Sequence, residues 1–156
     1  MRKEEMAYIA GFLDGDGSLM LQIKKRKDGK SKIRFMATIC FYQDSRHDTS
    51  LGWIRKMLGI GYLSKRNDGM TELRINGFAQ VRDILEELLP FIRFKQVQAK
   101  ALYRACVLLS KKSLRTLGDQ DRKKIADEIL LIQKHNYATK YKKTIEELLT
   151  ILDLTP

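Results

Sequence analysis

Ile9-Ala10-Gly11-Phe12-Leu13-Asp14-Gly15-Asp16-Gly17 is the stretch on which the reading of this chain turns. Met6, Ile9, Ala10 and Leu13 fall at helical spacing, which predicts a helix over Glu4–Asp14. The glycines at 15 and 17 make continuation costly, so the helix is expected to stop at Asp14. Gly inside a helix costs up to about 1 kcal/mol relative to Ala. Ala10 and Gly11 therefore suggest a place where another backbone comes close. Two carboxylates then fall at the negative end of the helix macrodipole, where anions are disfavoured. A divalent cation relieves that conflict: Asp16 and a carbonyl freed at Gly15 form a hard, all-oxygen site suited to Mg²⁺. A bare Asp-Gly-Asp-Gly would read as an ordinary turn; its surroundings decide otherwise.

Downstream, Ser18–Arg26 alternates, with Leu19, Leu21 and Ile23 on one face and Met20, Gln22, Lys24 and Arg26 on the other. Asp28-Gly29 supplies turn chemistry. The return strand, Lys32–Tyr42, turns Ile33, Phe35, Ala37, Ile39 and Phe41 inward and Lys32, Arg34, Met36, Thr38 and Cys40 outward. A helix is expected over Ser50–Leu58. A second hairpin follows, Ile60–Arg66 and Met70–Asn76 about Asn67-Asp68-Gly69, with Leu73 and Ile75 inward and Ser64, Arg66, Glu72, Arg74 and Asn76 outward. Further helices are expected over Ala79–Leu89, Lys95–Leu109, Asp119–Lys134 (Asp119 as N-cap) and Ile145–Leu152. The order α-β-β-α-β-β-α plus extra helices is an α+β arrangement with antiparallel hairpins. A chain of 156 residues is read as one domain, a core of about residues 4–109 with a helical extension over 110–156.

The chain has 30 Lys and Arg against 19 Asp and Glu, a net charge of +11 that predicts a polyanionic partner, nucleic acid first. Lys24, Lys25, Arg26, Lys27, Lys30, Lys32 and Arg34 crowd the first hairpin, opposed only by Asp28. A twisted antiparallel ribbon fits the major groove, and its outward side chains reach base edges. Gln22, Arg26, Arg34, Thr38, Arg66, Arg74 and Asn76 are donor types that read bases; Met20, Met36 and Cys40 among them suit thymine methyls. At 44% hydrophobic residues the chain has a core to bury, which excludes a disordered tail. No apolar run approaches the roughly 20 residues of a membrane span, and the N-terminus lacks a secretory signal. Cys40 and Cys106, far apart, suggest neither a disulfide framework nor a zinc site. The expected place is intracellular, prokaryotic cytoplasm or a eukaryotic organelle. Neither a membrane nor a small-molecule substrate is expected.

The acidic stretch, the helix before it and the basic hairpin after it resemble the LAGLIDADG homing endonucleases, and most closely the single-motif, homodimeric branch. That resemblance implies an αββαββα fold whose antiparallel sheet forms a saddle over double-stranded DNA, and motif helices of two subunits that pack together through Ile9, Ala10, Gly11, Phe12 and Leu13. It makes Asp16 the metal-binding carboxylate and Gly15 its main-chain companion, holding Mg²⁺, with Ca²⁺ or Mn²⁺ able to occupy the same place. Gln43 matches a polar residue ordering water at the scissile phosphate, and Lys95, in Pro90-Phe-Ile-Arg-Phe-Lys-Gln-Val-Gln98, the basic residue of that network. Arg46 and His47 are expected against the backbone near the cut. The run Thr139–Lys143, with Lys140 and Lys142, resembles a phosphate-touching C-terminal loop.

One motif implies two chains, because cutting both strands takes two acidic sites and the sequence holds one. A homodimer implies a near-palindromic target. The first strand spans ~30 Å at ~3.3 Å per residue, enough for ~9 base pairs, so two subunits read roughly 18–22. The family implies metal-assisted hydrolysis across the minor groove with short 3′ overhangs. Two rivals do without the cut: an RNA-splicing maturase on the same fold and, from another class, a non-catalytic DNA-binding regulator. Asp16, Gln43 and Lys95 together favour the nuclease.

Overall fold

The motif helix α1 spans Lys3–Asp16 in the computed structural model, which describes residues 1–27, 32–137 and 140–154. It runs two residues past the point at which the glycines predict its end. The last carbonyls of a helix have no amide partner of their own. Here those of Leu13 and Asp14 are taken by the Lys95 ammonium, which offsets the cost of helical glycine. Gly17 then turns the chain into the sheet. A Cβ at this position would lie 2.6–2.9 Å from atoms of Leu13, so the close approach admits glycine alone.

The order continues β1 (Gly17–Lys25), β2 (Ile33–Asp44), a 3-10 turn (Ser45–His47), α2 (Thr49–Leu58), β3 (Tyr62–Lys65), β4 (Met70–Asn76), α3 (Phe78–Leu88), α4 (Gln96–Leu109), α5 (Asp119–His135) and α6 (Ile145–Ile151). This is the α+β, αββαββα fold with further helices. The sheet is antiparallel in the order β1-β2-β4-β3. The Asp28-Gly29 turn and Lys30 fall outside the described residues. β3 is shorter than its sequence suggests, because Gly61, at φ +106°, breaks the extended run before Tyr62.

Alternation sorts the sheet as expected. Leu19, Leu21, Phe35, Ala37, Ile39, Phe41, Leu73 and Ile75 are buried, packed with Ile9, Ala10 and Leu13 of α1 and Leu51 and Ile54 of α2. Ile23 and Ile33, at the far end of the first hairpin, are only partly covered. Full burial of one large apolar side chain contributes about 1.5–3 kcal/mol, so this layer fixes the sheet's register. Helices α4 and α5 extend the core with Leu102, Ala105, Cys106, Ile125, Ile129 and Ile132. Asp119 is not the N-cap of α5. Gly118 takes that position without a side-chain bond, and Asp119 lies in the first turn with Asp121, where carboxylates favour the helix dipole. Thr144 caps α6 reciprocally with Glu147, at 3.2 and 2.8 Å. Among the described residues no helix is long and apolar enough to cross a membrane.

Candidate active site and nucleic-acid interface

The two carboxylates at the end of α1 have separate environments. Asp14 is 8% exposed. Its Oδ2 accepts the main-chain N–H of Arg93 at 2.6 Å and of Phe94 at 3.2 Å, and its Oδ1 that of Lys95 at 2.9 Å. Asp16 is exposed. The conflict between an acidic pair and a helix C-terminus is therefore half resolved by protein: three N–H groups hold Asp14, and Asp16 alone remains open to a cation.

Lys95 is the N-cap residue of α4 and only 9% exposed. Its ammonium donates to the carbonyl of Leu13 at 3.1 Å and to that of Asp14. Burial pushes this ammonium below the ordinary lysine value, and the nearby carboxylates of Asp14 and Asp16 pull it back up. A cation desolvated beside acidic groups is a charge held ready for an anion. Gly15, exposed, carries the next terminal carbonyl after the two that Lys95 covers.

Gln43 reaches the same end of the sheet. Gly17 pairs with Phe41, so Gln43, two residues further along β2, lies level with the tip of α1. Its Oε1 accepts the N–H of Asp44 at 2.8 Å, so what it can offer a water or a phosphate is its NH₂. Arg46 and His47 follow in the exposed 3-10 turn. Arg46 is held by Asp44 through its Nε at 3.0 Å and Nη2 at 2.8 Å, and these bonds draw the Asp44 carboxyl well below its usual range. The structure thus brings Asp16, Gly15, Lys95, Gln43, Arg46 and His47 to one end of the sheet.

The sheet face turned from the helices carries the expected groove residues unevenly. Lys24, Arg26, Lys32, Arg34, Arg66 and Asn76 are exposed; Met20, Gln22, Met36, Ser64 and Arg74 are half-buried. Thr38, Cys40 and Glu72 are not free surface groups. Thr38 and Cys40 are fully buried and Glu72 is 9% exposed, and each is engaged by a side chain of the neighbouring strand or of its own. Thr38 Oγ1 donates to Asn76 Oδ1 at 2.7 Å, and Cys40 Sγ lies 3.9 Å from Glu72. Lys140 and Lys142 are exposed beside Tyr141, which bonds Glu147; Thr139 lies outside the described residues.

Of the residues expected at a subunit interface, Ile9, Ala10 and Leu13 are fully enclosed by the protomer's own core and cannot touch a partner. Phe12 is half-buried against Tyr8 and Phe41. Only Gly11 is exposed, on a helix face shared with Ala7, Tyr8 and Gly15. Helical phase puts Ala7 and Tyr8 on that exposed face, and strand parity puts Tyr42 and Tyr62 on the open face of the sheet. Tyr42 bonds Ser18 at 3.0 Å and lies 5.9 Å beneath the Arg66 guanidinium. No local signal marks Asp14 as a ligand of residues 93–95, some 80 positions away.

The sequence pattern of the LAGLIDADG endonucleases matches residues 9–103, a stretch that includes Asp16, Gln43 and Lys95. The chain belongs to the LAGLIDADG endonuclease family. It is 38% identical over 96 residues to DNA endonuclease I-CvuI of Chlorella vulgaris, an overlap of 62% of this chain and 60% of that one. To DNA endonuclease I-CreI of Chlamydomonas reinhardtii it is 30% identical over 102 residues, 65% and 62% of the two chains. The matched region thus spans about three-fifths of the length of these curated relatives. The crystal structure of homing endonuclease I-CvuI in complex with its target in the presence of calcium is similar over 98% of this chain and 97% of that one, with a TM-score of 0.79 and 28% identity. Among the described residues no group of three or more His, Cys, Asp or Glu side chains is placed to hold a metal ion.

Proposed function

We propose that this chain is a homing endonuclease that, as a homodimer, cuts both strands of a near-palindromic DNA target of roughly 18–22 base pairs by Mg²⁺-dependent phosphodiester hydrolysis. The observation that carries the reading is the pairing of an open Asp16 with a buried Lys95 ammonium at the tip of α1. Family membership and the cationic face of the sheet support it. The donor set fits the ion: a carboxylate with neighbouring carbonyls is hard and all-oxygen, and Ca²⁺ or Mn²⁺ accept the same donors. One carboxylate is too few for a two-strand cut, and a second copy related by two-fold symmetry supplies the other.

The metal, when bound, neutralises phosphate charge and stabilises the departing 3′ oxygen. The protein's own groups do the rest. Asp16 holds the ion's place at the end of a helix anchored in the core. Lys95 sets a desolvated positive charge against the charge that builds on the phosphate. The Gln43 NH₂ orients water, and Arg46 and His47 take neighbouring phosphates. Lys24, Arg26, Lys32 and Arg34 bind the backbone with a steep salt dependence, while Gln22, Arg66, Arg74 and Asn76 meet base edges. Such a protein works inside a cell or organelle, where its target DNA lies.

The test is the uninterrupted DNA sequence into which this chain's own gene is inserted. Binding is expected in both Ca²⁺ and Mg²⁺, with double-strand cutting in Mg²⁺. A chain that binds this duplex and cuts neither strand in Mg²⁺ is a regulator, and the reading falls.

A further inference from the structure

Asp14 and Asp16 are chemically identical and two residues apart on one helix, so their side chains diverge by about 200°. Asp16 points to solvent and Asp14 into the protein. Both oxygens of Asp14 are used, by three main-chain N–H groups at 2.6, 3.2 and 2.9 Å. A carboxylate so committed has its charge met by peptide dipoles and, at 8% exposure, is closed to a cation arriving from solvent.

The residue at the far end of that contact is Lys95. The Asp14 side chain holds the Lys95 main chain, and the Lys95 side chain returns to the carbonyls of Leu13 and Asp14. Two residues 81 positions apart therefore close a ring, side chain to main chain in both directions, with both residues below 10% exposure. No ion pair between the carboxylate and the ammonium is needed for this. The carboxylate fixes where α4 begins, and the start of α4 fixes where the ammonium lands beside Asp16.

We infer that Asp14 is the positioning residue of the active site, setting the location of the Lys95 ammonium relative to Asp16, and is not itself a metal ligand. The inference rests on the nuclease reading above and adds a residue to it. In Asp14→Asn the amide NH₂ would face N–H donors, so at least one of the three bonds is lost and the segment 93–95 loosens. A displacement of about 1 Å at a reacting group costs on the order of a hundredfold in rate.

A double-mutant cycle decides it. Single-turnover cleavage in Mg²⁺ is measured for the unaltered chain, Asp14→Asn, Lys95→Met and the double variant, with target affinity in Ca²⁺ read alongside. Each single variant is expected to cut about a hundredfold slower while binding DNA within about threefold. The double is expected to be no slower than Lys95→Met, because Asp14 acts through Lys95. The Mg²⁺ concentration giving half-maximal rate is expected to stay put in Asp14→Asn. Losses that multiply in the double variant, an undiminished rate in Asp14→Asn, or a rise in its Mg²⁺ requirement like that of Asp16→Asn each overturn the assignment. The same cycle is run with Asp14→Glu, which keeps the charge but moves it by one methylene, so that the outcome does not hang on whether the Asp14→Asn variant folds. An unaltered chain that does not cut removes the nuclease reading and this inference together; one that cuts with multiplicative losses removes only the inference.

Discussion

Glu72 lies beside Arg74 on the open face of β4, with carboxylate Oε1 and guanidinium Nη2 3.1 Å apart. It is a nearly buried anion in a field of cations, and it accepts from Nε and Nη2 of Arg74. On the DNA-binding role proposed for this face, a carboxylate here lowers affinity for every sequence and, by fixing the angle of Arg74, is expected to return discrimination. Glu72→Gln is expected to tighten binding to random duplex and to lose about 1–3 kcal/mol of discrimination at the base pair Arg74 faces. Competition binding with single-base variants of the target measures both; an unchanged target-to-random ratio would falsify this role.

Gly11 has open space where a side chain would begin: a Cβ there meets nothing within 4 Å. Judged on the protomer alone, Gly11→Ala stabilises the helix by roughly 0.5–1 kcal/mol. If two motif helices pack at this face, Gly11→Leu keeps the protomer folded and separates the dimer. Sedimentation should show the Leu variant as a folded monomer with double-strand cutting lost. A Gly11→Leu dimer that cuts normally contradicts the packing.

Asp16→Asn removes the charge proposed to hold the metal, on an exposed side chain outside the core. Target affinity in Ca²⁺ is expected within a few fold of the unaltered chain, with the Mg²⁺-dependent cleavage rate at least about a hundredfold lower. Full activity in this variant removes the metal assignment.

The Cys106 thiol, buried between α4 and its neighbours, is pushed up to about 12 by desolvation. Its folded value stands above the unfolded one, so the neutral thiol contributes stability that is fully present below about pH 9 and is lost as pH rises toward 12. Urea unfolding at pH 7.5 and 10 should show the gap between the unaltered chain and Cys106→Val shrinking at the higher pH. A gap independent of pH shows that the thiol is not desolvated as described. At neutral pH the same burial predicts slow reaction with a disulfide reagent until the protein unfolds.

Gly61 precedes β3 at φ +106°, and a Cβ there would lie 2.8 Å from Leu73 Cδ1 and 3.0 Å from Ile75 Cγ1. Gly61→Ala is expected to destabilise the fold by about 1–3 kcal/mol, measured by chemical denaturation, because backbone strain and core overlap act together. A neutral effect means that the second hairpin yields more readily than its packing implies.

The amino-acid order alone determined the strand and helix sequence, the faces of the sheet and the end of the molecule where the acid sits. Period-two alternation in Ser18–Arg26 and Lys32–Tyr42, and helical spacing in Met6–Leu13, are local properties that burial has to obey. Charge, too, is additive along a chain, so the cationic hairpin was visible without coordinates. The tertiary structure decided what depends on distant neighbours: that Thr38, Cys40 and Glu72 are buried, that Ile9, Ala10 and Leu13 belong to the protomer's own core, and that α1 continues to Asp16. It also separated two aspartates that the sequence presents as equals. Asp14 and Asp16 differ only in what lies opposite them, and what lies opposite Asp14 is the main chain of residues 93–95, brought across 80 positions by packing that no local pattern encodes.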